Sequence, residues 1–375
     1  MTLGDLGAEI IKIENPNGGD DSRGFNVSPE RGISTYFFAV NRNKQSIALD
    51  FRKDEGRDAI LAMARNADVV VENFRTGVME RYGIGYDDLA AVNPMIVFCS
   101  VSAYGREGSL KDRPGYDPIV QGESGFMSLT GEEDGAPMRT GVSIMDIIAG
   151  MFAGQAVMAA LLARERIGHG QKIDVPLFDT AVSMLHHAGS AYLLDGTVMS
   201  RVGNGNIVAQ PVGLYRASDG PLMVTLTNNR LWKVLCEEAL ERPDLVDDSR
   251  FVDNTVRVAN RDVLENLLNT IFETGTRAFW LAKLGAAGIP AGEVRDVGQA
   301  LDSAEVAARA MVAAYEHPAH DDLRGVRSPM NLSATPVCDP VAAPDLGADT
   351  DSILRDIAGY DEATIAAMRA AGAIP

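Results

Sequence analysis

From residue 8 onward, short apolar runs alternate with segments whose apolar positions recur at helical spacing. "AEIIKIE" (8–14), "SIALDF" (46–51), "DVVVENF" (68–74) and "MIVFCSVSAYG" (95–105) read as strands. Between them, "DEGRDAILAMARNA" (54–67) and "DDLAAV" (87–92) read as helices. Apolar strands set between amphipathic helices predict βαβ units around a parallel sheet, a doubly wound, Rossmann-like layout. The stretch "GVSIMDIIAGMFAGQAVMAALLARERIGHGQ" (141–171) predicts a long helix. Its Ile147, Ile148, Met151, Phe152, Val157, Met158, Leu161 and Leu162 cover nearly every face, which predicts deep burial. Gly150 and Gly154, one turn apart, would admit a second backbone. Arg164 and Arg166 suit the negative end of the helix, and Gly168 and Gly170 stop it.

The pattern then changes. "KIDVPLFDTAVSMLHHAGSAYL" reads as a strand entering a helix, and "DGTVMSRVGNGNIVAQP" (195–211) as a linker rich in Gly, Asn and Ser. "VGLYRASDGPLMVTLTN" has the alternation of a hairpin with Asp219-Gly220 in the turn. "RLWKVLCEEAL", "NRDVLENLLNTIFET" and "TRAFWLAKLGAAG" follow with helical spacing. The predicted organisation is a large Rossmann-like α/β domain over 1–190 and a linker over 191–211. A smaller α+β domain (212–310), a second linker (311–342) and a C-terminal return to the large domain (343–375) complete it.

Composition narrows the function classes. A chain of 375 residues, 46% hydrophobic and 23% charged, can bury the core of a soluble two-domain protein. A formal charge of −18 argues against nucleic acid and anionic membrane surfaces as partners. The apolar stretch 141–163 is interrupted by Asp146, Gln155 and three glycines, so no membrane span is expected. Asp5 and Glu9 come too early for a signal peptide, which predicts a cytoplasmic protein. Cys99, Cys236 and Cys338 lack short spacings and read as small buried residues in a reducing compartment. The histidines show no metal-binding spacing, and His186 and His187 are expected to point to different sides of a helix; no metal is expected. No G-x-G-x-x-G joins a strand to a helix and no Walker loop occurs, which disfavours nicotinamide dehydrogenases and P-loop enzymes.

Asp146 precedes the long apolar run, where Asp is a favoured N-cap. Capping and chemistry both remain open on these residues alone. Several separated stretches, however, resemble one family. These are "LGAEIIKIENPNGGD" (6–20), "NRNKQSIALDFRKDEGRDAI" (41–60), "ADVVVENFRTGVMERYGI" (67–84), "RPGYDPIVQGESGFMSLTG" (113–131), the 141–171 stretch, "ARERIGHGQKIDVPLFD" (163–179) and "APDLGADTDSILRDI" (343–357). Together and in this order they resemble family III CoA-transferases, whose members include formyl-CoA transferase, carnitine CoA-transferase and α-methylacyl-CoA racemase.

The resemblance implies that Asp146 is a nucleophile that forms an aspartyl mixed anhydride and then an aspartyl-CoA thioester. It implies acyl-CoA and small carboxylic acids as substrates, no permanently bound cofactor, and an interlocked homodimer. It singles out Leu49, Arg52, Asn73, Phe74, Val78, Arg81 and Tyr116 as residues that bind coenzyme A, and Gly203 and Gly205 as the nearest counterpart of a substrate loop. Arginine suits phosphate because its planar fork offers paired donors. Between Arg42 and Arg113, eleven Lys/Arg balance eleven Asp/Glu, a neutral stretch in an acidic chain. The same count also fits salt-bridged helix faces.

Departures from the family pattern refine the expectation. The resemblance implies a strand ahead of "MTLGDLGAEII", whose loss would expose a sheet edge and weaken the cofactor site. Asn15 stands where formyl-CoA transferase often carries a basic residue beside adenine, and the glycine-rich loop of that enzyme is not reproduced. Tyr116 replaces the histidine of the racemases, and an unperturbed Tyr is a poor base at neutral pH. The sequence therefore favours a CoA-transferase. The alternatives are a 2-methylacyl-CoA racemase, betrayed by exchange of the α-hydrogen with solvent, and a non-catalytic acyl-CoA-binding protein.

Overall fold

A computed structural model describes residues 1–375. The chain divides into two compact units, one comprising Met1–Ser124, Gly141–Met184 and Asp302–Pro375, the other Gly125–Thr140 and Leu185–Leu301. The segment 125–140 thus groups with the later residues, although it lies within the stretch assigned to the large domain.

The first unit is α/β with parallel sheets. Strands β1 (Ile11–Glu14) and β2 (Gln45–Ala48) form one parallel pair. Strands β3 (Val69–Glu72), β4 (Val97–Ser102) and β5 (Lys172–Pro176) form a parallel sheet in the order β3-β4-β5. The alternation of strand and helix is as the sequence pattern requires, but the strands fall into two sheets. The outer edge of β2 is closed by the start of the helix Thr350–Asp356: the Asp349 amide donates to Ser46 O (3.0 Å) and the Ala48 amide to Thr350 Oγ1 (3.1 Å). β1 and β3 each have a strand on one side only, and Ile13 and Val71 are exposed.

One apolar core serves both sheets. Ile47, Leu49, Ile84, Leu89, Ile96 and Phe98 pack with Ile353, Leu354, Ile365 and Met368 from the last two helices. Each such side chain, fully buried, contributes roughly 1.5–3 kcal/mol, so residues 343–375 are integral to this unit. At its other end the buried carboxylate of Asp5 accepts from Arg42 Nε (2.8 Å) and Nη2 (2.5 Å) and from Asn43 Nδ2 (3.0 Å). Arg42 Nη1 also reaches Val326 O (3.2 Å), tying the N-terminal turn to the hairpin Val312–Ala314/Arg324–Val326. That hairpin lies in the stretch 311–342 that reads as a linker.

The helix Ile144–Ile167 lies against β4, β5 and the helix Leu177–Ser183 through Met145, Ala149, Ala153, Val157 and Ala160. Mostly alanines, these side chains let helix and sheet approach closely. The opposite stripe, Ile147, Met151, Met158 and Leu162, is exposed, so the expectation of burial on every face does not hold. A Cβ built on Gly150 or Gly154 would meet no atom within 4 Å, so no backbone of this chain approaches there. With 24 residues, a length of about 36 Å, the helix is also long and apolar enough to cross a membrane, contrary to the expectation from its interruptions. Asp146 sits at its end and glycines cost little apolarity; a helix packed on a sheet along one face passes the same test. The helix stops at Gly168 (φ 77°) and turns back through Gly170, where a Cβ would stand 1.8 Å from Ile96 O.

In the second unit, β6 (Val212–Ala217) and β7 (Gly220–Thr225) form the expected antiparallel hairpin, and β8 (Ala291–Glu293) pairs antiparallel with β7. Tyr215, Leu222, Val224, Trp232, Leu264, Phe272, Trp280 and Leu284 form its core. Of the cysteines, Cys99 and Cys236 are buried as expected, but Cys338 is exposed.

Candidate active site

Parallel strands end together, and ligands of such sheets bind beyond the carboxyl ends. Leu49 and Arg52 follow β2, and Asn73 and Phe74 follow β3. Tyr104 to Tyr116 follow β4. The helix Ile144–Ile167 runs back into β5, so its first turn, with Asp146, lies at this same edge.

Asp146 is the third residue of the helix; Ser143 is the N-cap and makes no side-chain capping bond. The capping role expected of Asp146 is taken by a residue that pattern reading did not single out. Asp117, 2% exposed, accepts from the Met145 amide through Oδ1 (2.7 Å) and from Gln121 Nε2 through Oδ2 (2.6 Å). Asp146 itself is exposed on the single chain and engages in no hydrogen bond or ion pair. Its carboxyl is pushed up from 3.8 to about 6, first by partial desolvation among its neighbours and then by the charge of Asp117. Since solvent still reaches the residue, that desolvation is local crowding, not enclosure. A dry, buried acid is therefore not what this chain alone provides.

Phe74 and Arg81, two of the residues singled out for coenzyme A, belong to an aromatic cluster on the loops after β2 and β3. Phe51 stands edge-on to Phe74 (5.6 Å) and to Tyr82 (5.5 Å), joining the loops after β2 and β3. The Arg81 guanidinium lies over the Tyr82 ring (4.9 Å). Arg52 is held by Asp50 in a two-pronged pair (2.7 and 2.8 Å), exposed enough to exchange for another anion. Phe74 is 43% exposed, and Asn73 donates to Val101 O (2.6 Å). Val78 begins the short helix Val78–Arg81 and is half-buried. Leu49 is 1% exposed, so its side chain serves the core instead of a ligand. Tyr116, 79% exposed, directly precedes Asp117. Gly203 and Gly205 belong to the second unit, where the Gly203 amide donates to Gly131 O (3.0 Å) and φ at Gly203 is 59°.

A second pair escaped pattern reading. Buried Glu72 accepts from the Phe74 amide (2.7 Å) and from Arg106 Nη2, while Arg106 Nη1 donates to Phe74 O (2.8 Å). Together they fix the turn that presents Asn73 and Phe74. An acid closing the apolar run "VVVE" was the available signal, because a buried carboxylate requires donors. His186 and His187, expected to diverge, have their Nδ1 atoms 3.2 Å apart, because the helix starts at His186 with φ 47°. Clefts open beside Met223, Thr225 and Gly292 and beside Arg65, Asn93 and Arg164; Asp146 lines neither of these.

Gly56 supports the Arg52 turn from below. A Cβ there would lie 2.1 Å from Asp50 O and 2.7 Å from Asp50 C, both backbone atoms. Gly56→Ala is expected to cost about 1–3 kcal/mol, as overpacking does, and to displace Arg52. A urea midpoint equal to wild type would contradict this packing.

The CoA-transferase family III model matches residues 1–350. The chain is 35% identical over 374 residues to the succinyl-CoA:glutarate CoA-transferase of Mus musculus, covering 100% of this chain and 86% of that protein. It is 42% identical over 313 residues to the acetyl-CoA:oxalate CoA-transferase of Acetobacter aceti, covering 83% and 79%. A CAIB/BAIF family protein from Brucella suis superposes with a TM-score of 0.85 at 35% identity, covering 95% of this chain and 93% of that one. The chain belongs to CoA-transferase family III and is an enzyme of that family.

Proposed function

We propose that the chain moves coenzyme A from an acyl-CoA to a small carboxylic acid, with Asp146 as the nucleophile. The carrying observation is the unengaged Asp146 carboxylate in the first turn of a helix at the carboxyl edge of a parallel sheet. There the helix N–H groups and dipole favour negative charge. One Asp146 oxygen attacks the thioester carbonyl, the C–S bond breaks, and CoA leaves as thiolate from a mixed anhydride. The thiolate attacks the aspartyl carbonyl, releases the donor acid as carboxylate and leaves an aspartyl-CoA thioester. The acceptor carboxylate then attacks that thioester and expels the thiolate. The thiolate takes the acceptor's acyl carbonyl and frees Asp146. Covalent relay of this kind divides one exchange between weak nucleophiles into easier steps.

The relatives' names support acyl-CoA thioesters and small mono- or dicarboxylic acids as the substrate class. Phe74, Arg52 and Arg81 are the proposed contacts of the nucleotide end, Tyr116 of the acyl end. A homodimer is the proposed assembly, and the exposed stripe Ile147, Met151, Met158 and Leu162 beside open Gly150 and Gly154 supports it. A second copy seated there would exclude water that otherwise hydrolyses the anhydride. Incubation with succinyl-CoA followed by hydroxylamine is expected to leave a hydroxamate at Asp146, read by peptide mass. A label at another residue, or none, overturns the assignment.

A further inference from the structure

The start of the helix Ile144–Ile167 is fastened from another helix, and the fastening leaves one group free. Asp117 and Gln121 lie one turn apart in the helix Asp117–Glu123, 2% and 0% exposed. Each oxygen of Asp117 has one donor, the Met145 amide on Oδ1 and Gln121 Nε2 on Oδ2. Met145, itself wholly buried, is the neighbour of Asp146, whose carboxylate no donor touches. Acids in a first helical turn ordinarily engage the orphan N–H groups there. Here a buried carboxylate from elsewhere has taken that duty.

We propose that Asp117, locked by Gln121, is the positioning residue of the transfer reaction: it caps the long helix through Met145 and thereby holds the Asp146 carboxylate fixed but unengaged. The inference rests on the reading of Asp146 as nucleophile. Structure alone gives a cheaper cap, since Ser143 already occupies the N-cap position and its hydroxyl makes no capping bond. Burying a carboxylate costs several kcal/mol unless its oxygens accept hydrogen bonds, and this arrangement meets that requirement with only two donors. What the charge adds over a hydroxyl is its field. Asp117 is the one charged group that raises the carboxyl of Asp146, after local desolvation. A more basic carboxylate attacks a thioester more readily, and a first turn that cannot shift preserves the angle of attack.

The test compares Asp117→Asn, Asp117→Ala and wild type in exchange between succinyl-CoA and glutarate. Asparagine keeps the acceptor for Met145, and its amide can donate to Gln121 if that side chain flips, so the substitution removes the charge while retaining the cap. Asp117→Ala is expected to lower kcat about 100-fold through misplacement, with KM for acyl-CoA little changed. Asp117→Asn is expected to restore most of kcat at pH 8 and to move the acid limb of kcat/KM down from about 6. The carboxyl titration of Asp146, followed by carbon NMR against Asp146→Asn, is expected to move likewise without any turnover. An Asn variant whose acid limb and titration both stay in place overturns the proposal, whether or not the Ala variant folds. Acyl capture at Asp146 in wild type separates the two readings: capture elsewhere removes the nucleophile. Capture at Asp146 with an unchanged acylation rate in Asp117→Asn and Asp117→Ala removes only the positioning role.

Discussion

Asp146→Ala is expected to lower CoA exchange by about 10⁴-fold or more, the scale on which removal of a covalent nucleophile acts. The loss should fall on kcat, because no binding contact with the nucleotide end is removed. Stability should move the other way, if at all. The folded-state carboxyl titrates near 6, above its ordinary 3.8, so the folded chain binds the proton more tightly than the unfolded one. The charged form is therefore the costly one: stability present below pH 4 is lost as pH rises through 6. Above that, deleting the group should leave the melting temperature unchanged or higher. A variant with wild-type turnover sinks the nucleophile, and one that fails to fold would contradict a side chain without partners.

Asp5→Ala carries the largest expected effect on stability. Arg42 is 6% exposed, and two of its three paired nitrogens face Asp5. Removing the acid strands a buried guanidinium on one carbonyl, which costs about 3–5 kcal/mol. The double variant Asp5→Ala/Arg42→Met should recover part of that loss, because the stranded charge goes with its partner. Urea midpoints at constant slope measure both. A single-variant loss below about 1 kcal/mol would be the behaviour of an exposed pair.

Periodicity made most of the elements legible. "QSIA", "VVVE" and "VFCSVS" became parallel strands, and "DGPL" turned the β6–β7 hairpin, because local pattern and turn chemistry agree there. The long helix was legible in extent but not in orientation. Its apolar residues surround the axis, and only packing against β4 and β5 decides that Ala149, Ala153 and Ala160 go inside while Met151 and Leu162 stay out. The nearby site failed to appear for a related reason. Asp117 is 28 residues from the amide it caps, and Arg106 is 34 from Glu72. Spacing rules reach one helical turn or one strand pleat, whereas these bonds close only in three dimensions. Only the resemblance singled out Asp146 as a candidate nucleophile; nothing local distinguished it from a helix cap.

The division of the parallel strands has a consequence for handling the enzyme in solution. Two ladders each stop at a rung with nothing across from it, and Ile13 and Val71 stand beside those rungs. At high concentration such borders recruit extended segments from neighbouring molecules. Amides along 11–14 and 69–72 should then exchange with deuterium fastest in dilute samples and slow as concentration climbs, with light scattering rising in parallel.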